Sequence, residues 1–172
     1  MKDERGFTIV SLLAVLAISA MIATGAGMIL VQALTVTQSS EEHTTTVRQA
    51  QNLGYWASQD LQMGKMVSTA DDLSTPQTEF LTVAWKDWVT GDMYEARYTW
   101  LDGSGAGKKS LRTLTVRNKS GIQTSARTTL TADSISSANL TSGGSVTWKL
   151  DVRSLSGDKS ATRYYDVSKR VD

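Results

Sequence analysis

The pattern of apolar and charged positions begins with a sharp change at the N-terminus. Residues 1–6 form a short polar leader, and residues 7–40 then carry no charged side chain. A helix of about 20 consecutive apolar residues spans a bilayer, and the apolar run exceeds that length. We therefore assign residues 7–34 to a helix that is apolar on all sides and lies in a membrane or inside an assembly.

The helix is predicted to continue through residues 35–67, where the pattern becomes amphipathic and ends near Met66. Small or apolar side chains recur every three or four residues, which is the period of an α-helix and indicates one buried face: Val47, Ala50, Leu53, Ala57, Leu61 and Gly64. Polar residues between them, among them Gln49, Asn52 and Asp60, are expected to supply the exposed surface. This half of the helix is predicted to pack against a globular head.

Residues 68–172 are predicted to form that head, because apolar and polar residues alternate there with the period of β-strands. Val146, Trp148, Leu150 and Val152 show the alternation. Six strands are predicted, at residues 79–85, 93–101, 111–117, 124–130, 146–152 and 162–167. Short links favour antiparallel neighbours, so the fold class is α+β, with a long N-terminal helix packed on an antiparallel sheet. Trp85, Trp88, Trp100 and Trp148 are expected to fill much of the core.

Composition excludes several functions. The net charge is +1, so the composition gives no sign of a basic surface that would bind a nucleic acid. The chain contains no Cys and one His, which excludes thiolate chemistry and nearly excludes a catalytic triad or a His-rich metal site. We expect no cofactor and no enzymatic activity, although Asp and Glu pairs brought together by folding stay open at this point.

The apolar segment allows three interpretations. A cleaved secretory signal has an apolar region of about 7–15 residues, which is shorter than this run. An uncut signal anchor is the second, and Lys2 and Arg5 place its N-terminus in the cytoplasm by the positive-inside rule. The third is a prepilin, cut between Gly6 and Phe7 with the apolar helix retained.

Residues 5–16, Arg-Gly-Phe-Thr-Ile-Val-Ser-Leu-Leu-Ala-Val-Leu, resemble the signal of type IV pilins and type II secretion pseudopilins. The resemblance implies that a prepilin peptidase cleaves after Gly6 and methylates the new N-terminus at Phe7. It also implies a single-pass protein of the cytoplasmic membrane, with its N-terminus in the cytoplasm and its head outside. An assembly platform and other pilin or pseudopilin subunits would then move it into an extracellular or periplasmic filament.

The sequence departs from that family at the fifth mature position, where most members carry Glu and this chain has Ser11. The Glu is understood to neutralise the N-terminal ammonium of a neighbouring subunit in the apolar filament core, where an unpaired charge is costly. A subunit at the tip has no neighbour above it to neutralise, so Ser11 indicates a minor subunit at the tip. Alternatively, Ser11 or Thr8 hydrogen-bonds the ammonium in an ordinary major subunit.

The order of helix and strands is also similar to that of J-type minor pseudopilins. The segments that carry this similarity are residues 50–53, 58–62, 97–100, 130–135 and 146–152. Two other classes remain as alternatives. One is a signal-anchored extracytoplasmic binding domain that enters no filament, and the other is an anchored enzyme, for which no nucleophile–base pair is visible.

Several local motifs favour ordinary interpretations. Residues 102–110 approach a phosphate-binding loop, but Asp102 replaces its first Gly and Lys109 its Ser or Thr, so a hairpin loop is expected. Solvated carboxylates are expected instead of a calcium site, and His43 is expected in solvent. Glycosylation at Asn118 or Asn139 stays open. The carboxylates in question are Asp71, Asp72, Asp87, Asp92 and Glu95.

Overall fold

The computed structural model describes residues 5–70, 77–101, 107–143, 147–156 and 158–170, with side chains from Ile9 onward. The chain divides into two compact units, Met1–Glu41 and Glu42–Asp172. The described elements are α1 (Arg5–Met63), β1 (Met66–Ser68), β2 (Thr78–Lys86), β3 (Met93–Leu101), β4 (Lys108–Arg117), β5 (Gln123–Ser142), β6 (Thr147–Ser156) and β7 (Lys159–Ser168).

The first unit consists of the N-terminal part of α1. Every described side chain from residue 9 to residue 38 is exposed, as expected for a helix that is apolar on all sides. Among the described residues, α1 is the one helix that is long and apolar enough to cross a membrane, judged by length and composition.

The second unit contains the rest of α1 and a sheet whose seven described strands follow one another in chain order. Each strand pairs antiparallel with the next, which confirms the α+β fold with a long helix and an antiparallel sheet. β5 has 20 residues and pairs with a different neighbouring strand along each half of its length. It pairs with β4 as far as Ile135 and with β6 from Ile135 to Ser142.

The core lies between α1 and the sheet. Ala50, Leu53, Ala57 and Leu61 are fully buried on one face of the helix, which confirms the predicted spacing. Their partners in the core include the sheet side chains Leu81, Val83, Ala96, Tyr98, Leu150 and Val152. Burying one Leu or Val side chain stabilises a fold by roughly 1.5–3 kcal/mol, so this single stripe accounts for much of the attachment of the helix.

The tryptophan prediction is wrong in one place. Trp85, Trp100 and Trp148 are half-buried and pack against the core, but Trp88 is 68% exposed. Trp88 lies in the turn between β2 and β3, beyond the end of the strand, where the period-two alternation no longer reports which face is buried.

The helix ends at Met63, three residues before the predicted end, and Met66–Ser68 forms an edge strand instead. The amide of Lys65 donates to the carbonyl of Ala84 at 2.9 Å, so the chain joins the sheet directly after the helix. Gly64 permits this, because a Cβ at that position would lie 2.4 Å from Cγ1 of Val83. Residue 67, assigned to the amphipathic helix, is therefore part of a strand.

All six predicted strands are present, but β5 extends twelve residues past its predicted end at residue 130. The extension is rich in Ser, Thr, Asn and Ala, so it lacks the apolar alternation that identifies a strand. Its pairing comes from β6, with Asn139 opposite Asp151 and Leu140 opposite Leu150. Val146, the predicted start of the next strand, lies outside the described residues.

Candidate functional site

The apolar part of α1 is the largest exposed apolar surface in the described chain. Its large side chains are between half and three-quarters exposed, from Ile9 (62%) to Val36 (68%). Contiguous apolar surface of this extent is rare on soluble monomers and marks contact with a membrane or with other proteins. The exposed set comprises Ile9, Val10, Leu12, Leu13, Val15, Leu16, Ile18, Met21, Ile22, Met28, Ile29, Leu30, Val31, Leu34 and Val36.

Three threonine hydroxyls within this surface are hydrogen-bonded to the helix itself. The hydroxyls of Thr24, Thr35 and Thr37 each donate to the carbonyl four residues earlier, at 2.8–2.9 Å. Such bonds remove the desolvation cost of placing a hydroxyl in an apolar environment. The segment can therefore be buried in lipid or among helices without leaving these groups unpaired.

The predicted processing residues Gly6, Phe7 and Thr8 lie in the first turns of α1, and their side chains are outside the described set. Ser11 is exposed on the same helix. The predicted cleavage site after Gly6 and Ser11, which stands in place of the usual Glu, therefore lie on the same helix. Their roles in cleavage, methylation and filament contact stay predictions.

A buried polar cluster joins the second half of α1 to the sheet. Asp60 is only 4% exposed and accepts two hydrogen bonds from the guanidinium of Arg112, both at 2.7 Å. The hydroxyl of Tyr98 donates to the same carboxylate. The guanidinium also lies 5.0 Å from the ring centroid of Trp56, in cation–π range. We call Asp60, Tyr98 and Arg112 the Asp60 cluster.

The Asp60 cluster overturns one sequence expectation. The polar period placed Asp60 on the exposed surface of the helix, whereas it lies beneath the helix against β3 and β4. A charge on the border of an apolar stripe can face either way, and its partner decides which. Arg112 is 52 residues away, so no local pattern could reveal it.

The Asp60 cluster keeps the phenol of Tyr98 protonated. Burial, and next the carboxylate of Asp60, raise the pKa of Tyr98 well above its ordinary value of 10.0. The hydrogen bond to Asp60 raises the pKa of Arg112. The arrangement is thus a neutral phenol and an ion pair within one buried network, which suits structural attachment.

This protonation predicts alkaline instability of the head. A folded-state pKa above the unfolded value of 10.0 gives stability that is complete below pH 10 and is lost as the pH rises further. We expect the free energy of unfolding to fall by roughly 1 kcal/mol per pH unit for this proton. Tyr98→Phe should reduce the slope between pH 10 and 11.5 in denaturant titrations. An unchanged slope would show that Tyr98 does not carry the effect.

Further polar contacts fix α1 along the head. The hydroxyl of Ser154 donates to the carbonyl of Thr46, and the amide of Asn52 donates to the carbonyl of Thr131 at 2.7 Å. Near the end of the helix, the amide of Arg170 donates to the carbonyl of Gln62 at 3.1 Å. These bonds lie at the start, middle and end of the packed segment, so the helix is fixed in both position and rotation.

The remaining sequence motifs have structural roles where they are described. Asp87 accepts hydrogen bonds from the amides of Val89 and Thr90 within the β2–β3 turn. Asn118 accepts from the amides of Ser120 and Ile122 in the next turn. His43 is exposed, as expected. Asn139 lies in β5, and glycosylation at either Asn stays untested.

The candidate metal and phosphate motifs lie partly within the described residues. Glu95 forms ion pairs with Arg97 and with Arg117, and Asp71 and Asp72 lie outside the described residues. The described side chains contain no group of three His, Asp or Glu placed to hold a metal together. Residues 102–106 are likewise outside the described set, but β3 and β4 flank them, as a hairpin loop requires. Lys109 is ion-paired with Asp133 at 3.2 Å.

Comparison with known proteins places one signal in the chain. The family model for the prokaryotic N-terminal methylation motif matches residues 1–27, which include the polar leader and most of the apolar segment. No curated protein and no solved structure matches the chain. The matched segment begins at the leader and continues along the exposed apolar helix. The motif therefore supports a type IV pilin-like or pseudopilin precursor, processed by a prepilin peptidase and assembled with other pilin subunits.

Proposed function

We propose that this protein is a minor pilin or pseudopilin, a structural subunit without enzymatic activity in a type IV pilus-like or type II secretion filament. The observation that carries the proposal is the apolar helix in which most of the methylation motif lies. Its described side chains from residue 9 to residue 38 are all exposed and mostly apolar. Such a surface requires lipid before assembly and other helices after it.

In this proposal the two halves of α1 have different tasks. Cleavage after Gly6 leaves Phe7 as the methylated N-terminus, and the apolar half holds the subunit in the cytoplasmic membrane with the head outside. The assembly platform then transfers that half into the filament core. The second half is fixed to the head by the buried side chains Ala50, Leu53, Ala57 and Leu61 and by the Asp60 cluster.

The proposed tip position rests on Ser11, in the place of the usual Glu. A buried ammonium without a counter-charge is unfavourable by several kcal/mol, so a subunit that cannot supply the carboxylate is best tolerated where no subunit lies above it. The rival possibility is a major subunit in which Ser11 or Thr8 accepts the ammonium hydrogen bond instead. Copy number separates the two.

Mass spectrometry of the protein in sheared filaments tests the function. We expect a chain that begins at N-methylated Phe7, and we expect Gly6→Leu to leave the leader attached and the protein in the membrane. An intact leader in the unmodified protein, or a start near Ala26, would contradict the proposal. An uncut protein that stays in the membrane during shearing would instead favour the signal-anchored binding domain.

Replacing Ser11 with Glu tests the tip position. The new carboxylate would neutralise the ammonium of a neighbouring subunit, so we expect more copies per filament and labelling away from the tip. The measurement is immunogold labelling of filaments together with quantitative mass spectrometry. Ser11→Ala is the matched control and should keep the original distribution. Equal copy number and position for the Glu and Ala variants would refute the charge argument.

A further inference from the structure

Exposed apolar side chains of the head are concentrated at the end where α1 stops. The described residues of Glu42–Asp172 expose nine large apolar side chains, and five of them lie at this end. The β2–β3 turn contributes Trp88 and Val89, which are 68% and 95% exposed. We call this region the tip surface, with Met63, Met66, Trp88, Val89 and Met93 as its exposed apolar members.

Two adjoining hollows shape the tip surface. The larger has a volume of about 200 Å³ and an apolar wall that includes Met66, Trp88 and Met93. The smaller, about 150 Å³, lies beside Met63 and Arg170. Pockets for small molecules usually measure about 300–1,000 Å³, so these hollows are better suited to single side chains of another protein.

The aromatic groups of the tip surface are held in place before any partner binds. Trp85 stacks on Tyr94 with 5.5 Å between ring centroids and 7° between ring planes. The ammonium of Lys65 lies 4.0 Å from the ring centroid of Trp88. A surface that is ordered in advance loses less conformational entropy on binding, which favours affinity.

Cations surround the hollows. Lys65 and Lys86 line both of them, and Lys169 and Arg170 line the smaller one. Among the described residues, no carboxylate lies within ion-pair distance of Lys86, Lys169 or Arg170. The nearby Asp87 accepts hydrogen bonds from its own turn. Among the described residues, four cations and no carboxylate therefore line the two hollows, and the negative charge of Asp87 lies in the adjoining turn.

We propose that the tip surface binds a protein segment that presents a large apolar side chain between carboxylates. The apolar side chain enters the 200 Å³ hollow beside Trp88, and the carboxylates meet the cations at the rim of the two hollows, Lys86 and Lys169 among them. Trp and Met are among the residue types enriched at protein interfaces, and Trp is among those that contribute most binding energy there. The recessed apolar wall favours a protruding side chain over the flat surface of an anionic membrane.

This inference concerns the head alone and holds whether or not the chain enters a filament. The test uses the full chain in nanodiscs of zwitterionic lipid. The probe is the acetylated peptide Glu-Asp-Phe-Asp-Glu, with Gln-Asn-Phe-Asn-Gln and Glu-Asp-Ala-Asp-Glu as comparison peptides. Calorimetric titration should show at least roughly fivefold tighter binding of the probe than of either comparison peptide, because both features are needed.

Two variants of the tip surface locate the binding site. Trp88→Ala and Lys86→Glu should each weaken binding of the probe about tenfold. The matched controls are Tyr164→Ala, at an aromatic on β7 that is 75% exposed, and Lys149→Glu, at an exposed Lys on β6; both should bind as the unmodified chain does. Circular dichroism checks that each variant is folded, which we expect because all four side chains are exposed.

Three results would overturn the proposal. One is equal affinity for the acidic and the amide peptides, and another is an equal loss of binding in the control variants. The third is binding of the nanodisc-held chain to phosphatidylglycerol vesicles that Trp88→Ala abolishes, with no measurable binding of the acidic peptide. That result would assign the tip surface to anionic lipid instead.

Discussion

Arg112→Ala is expected to lower the free energy of unfolding of the head by about 3–5 kcal/mol. The substitution leaves the carboxylate of Asp60 buried, 4% exposed, without the two 2.7 Å hydrogen bonds that compensate its charge. The cost therefore comes mainly from an uncompensated buried charge, and the loss of the guanidinium's contact with Trp56 adds to it. Urea denaturation of the full chain in detergent, followed by tryptophan fluorescence, measures the change.

Two further variants separate the charge from other causes. Lys109→Ala breaks an ion pair with Asp133 whose side chains are 39% and 49% exposed, and it should cost about 1 kcal/mol or less. The double variant Asp60→Leu with Arg112→Leu removes both charges and should be more stable than Arg112→Ala alone. If Arg112→Ala costs no more than Lys109→Ala, the Asp60 cluster does not attach the helix.

Leu16→Lys is expected to exclude the protein from filaments and to weaken its membrane insertion. Leu16 is 58% exposed within the apolar segment, so its surroundings come from lipid or from other subunits. Exchanging Leu for Lys at the centre of a membrane helix costs roughly 3 kcal/mol, which is about a hundredfold in the insertion equilibrium. The measurements are the amount of protein in carbonate-washed membranes and in sheared filaments, relative to the unmodified chain.

Two control variants separate the effect of the buried charge from that of losing the Leu side chain and from that of adding a charge elsewhere on the helix. Leu16→Ala keeps an apolar side chain and should retain most of the membrane-bound protein. Thr37→Lys places the same charge near the end of the apolar run, where a long side chain can reach water, so a smaller loss is expected. Normal incorporation of Leu16→Lys into filaments would show that this part of the helix is not buried in an apolar core.

The elements of this fold could be predicted where side-chain periodicity directly reports burial. The stripe Ala50, Leu53, Ala57 and Leu61 has the helical period and is fully buried. The strands around Val83 and Leu150 have the period of two and also reach the core. The second half of β5 could not be predicted, because its Ser- and Thr-rich residues form a strand by pairing with β6. The local composition of a segment does not show which strand it will pair with.

The local sequence also did not predict whether individual polar and aromatic side chains are buried or exposed. Asp60 has the same spacing as exposed neighbours on α1, and only contact with Tyr98 and Arg112 makes its burial favourable. Trp88 looks like a core residue by type, yet a turn places it in solvent beside Lys65. The burial of Asp60 depends on residues from distant strands, and the exposure of Trp88 depends on where β2 ends.

Sequence by itself determined the processing signal and the apolar helix, because both depend on the order of side chains along one continuous element. It also determined the α+β class, since helix and strand periods can be read within short windows. Tertiary structure alone decided the burial of Asp60, the full extent of β5 and the tip surface around Trp88. Each of these arises where segments that are far apart in the chain come into contact. Burial and strand pairing there depend on both segments, so neither segment's own sequence predicts them.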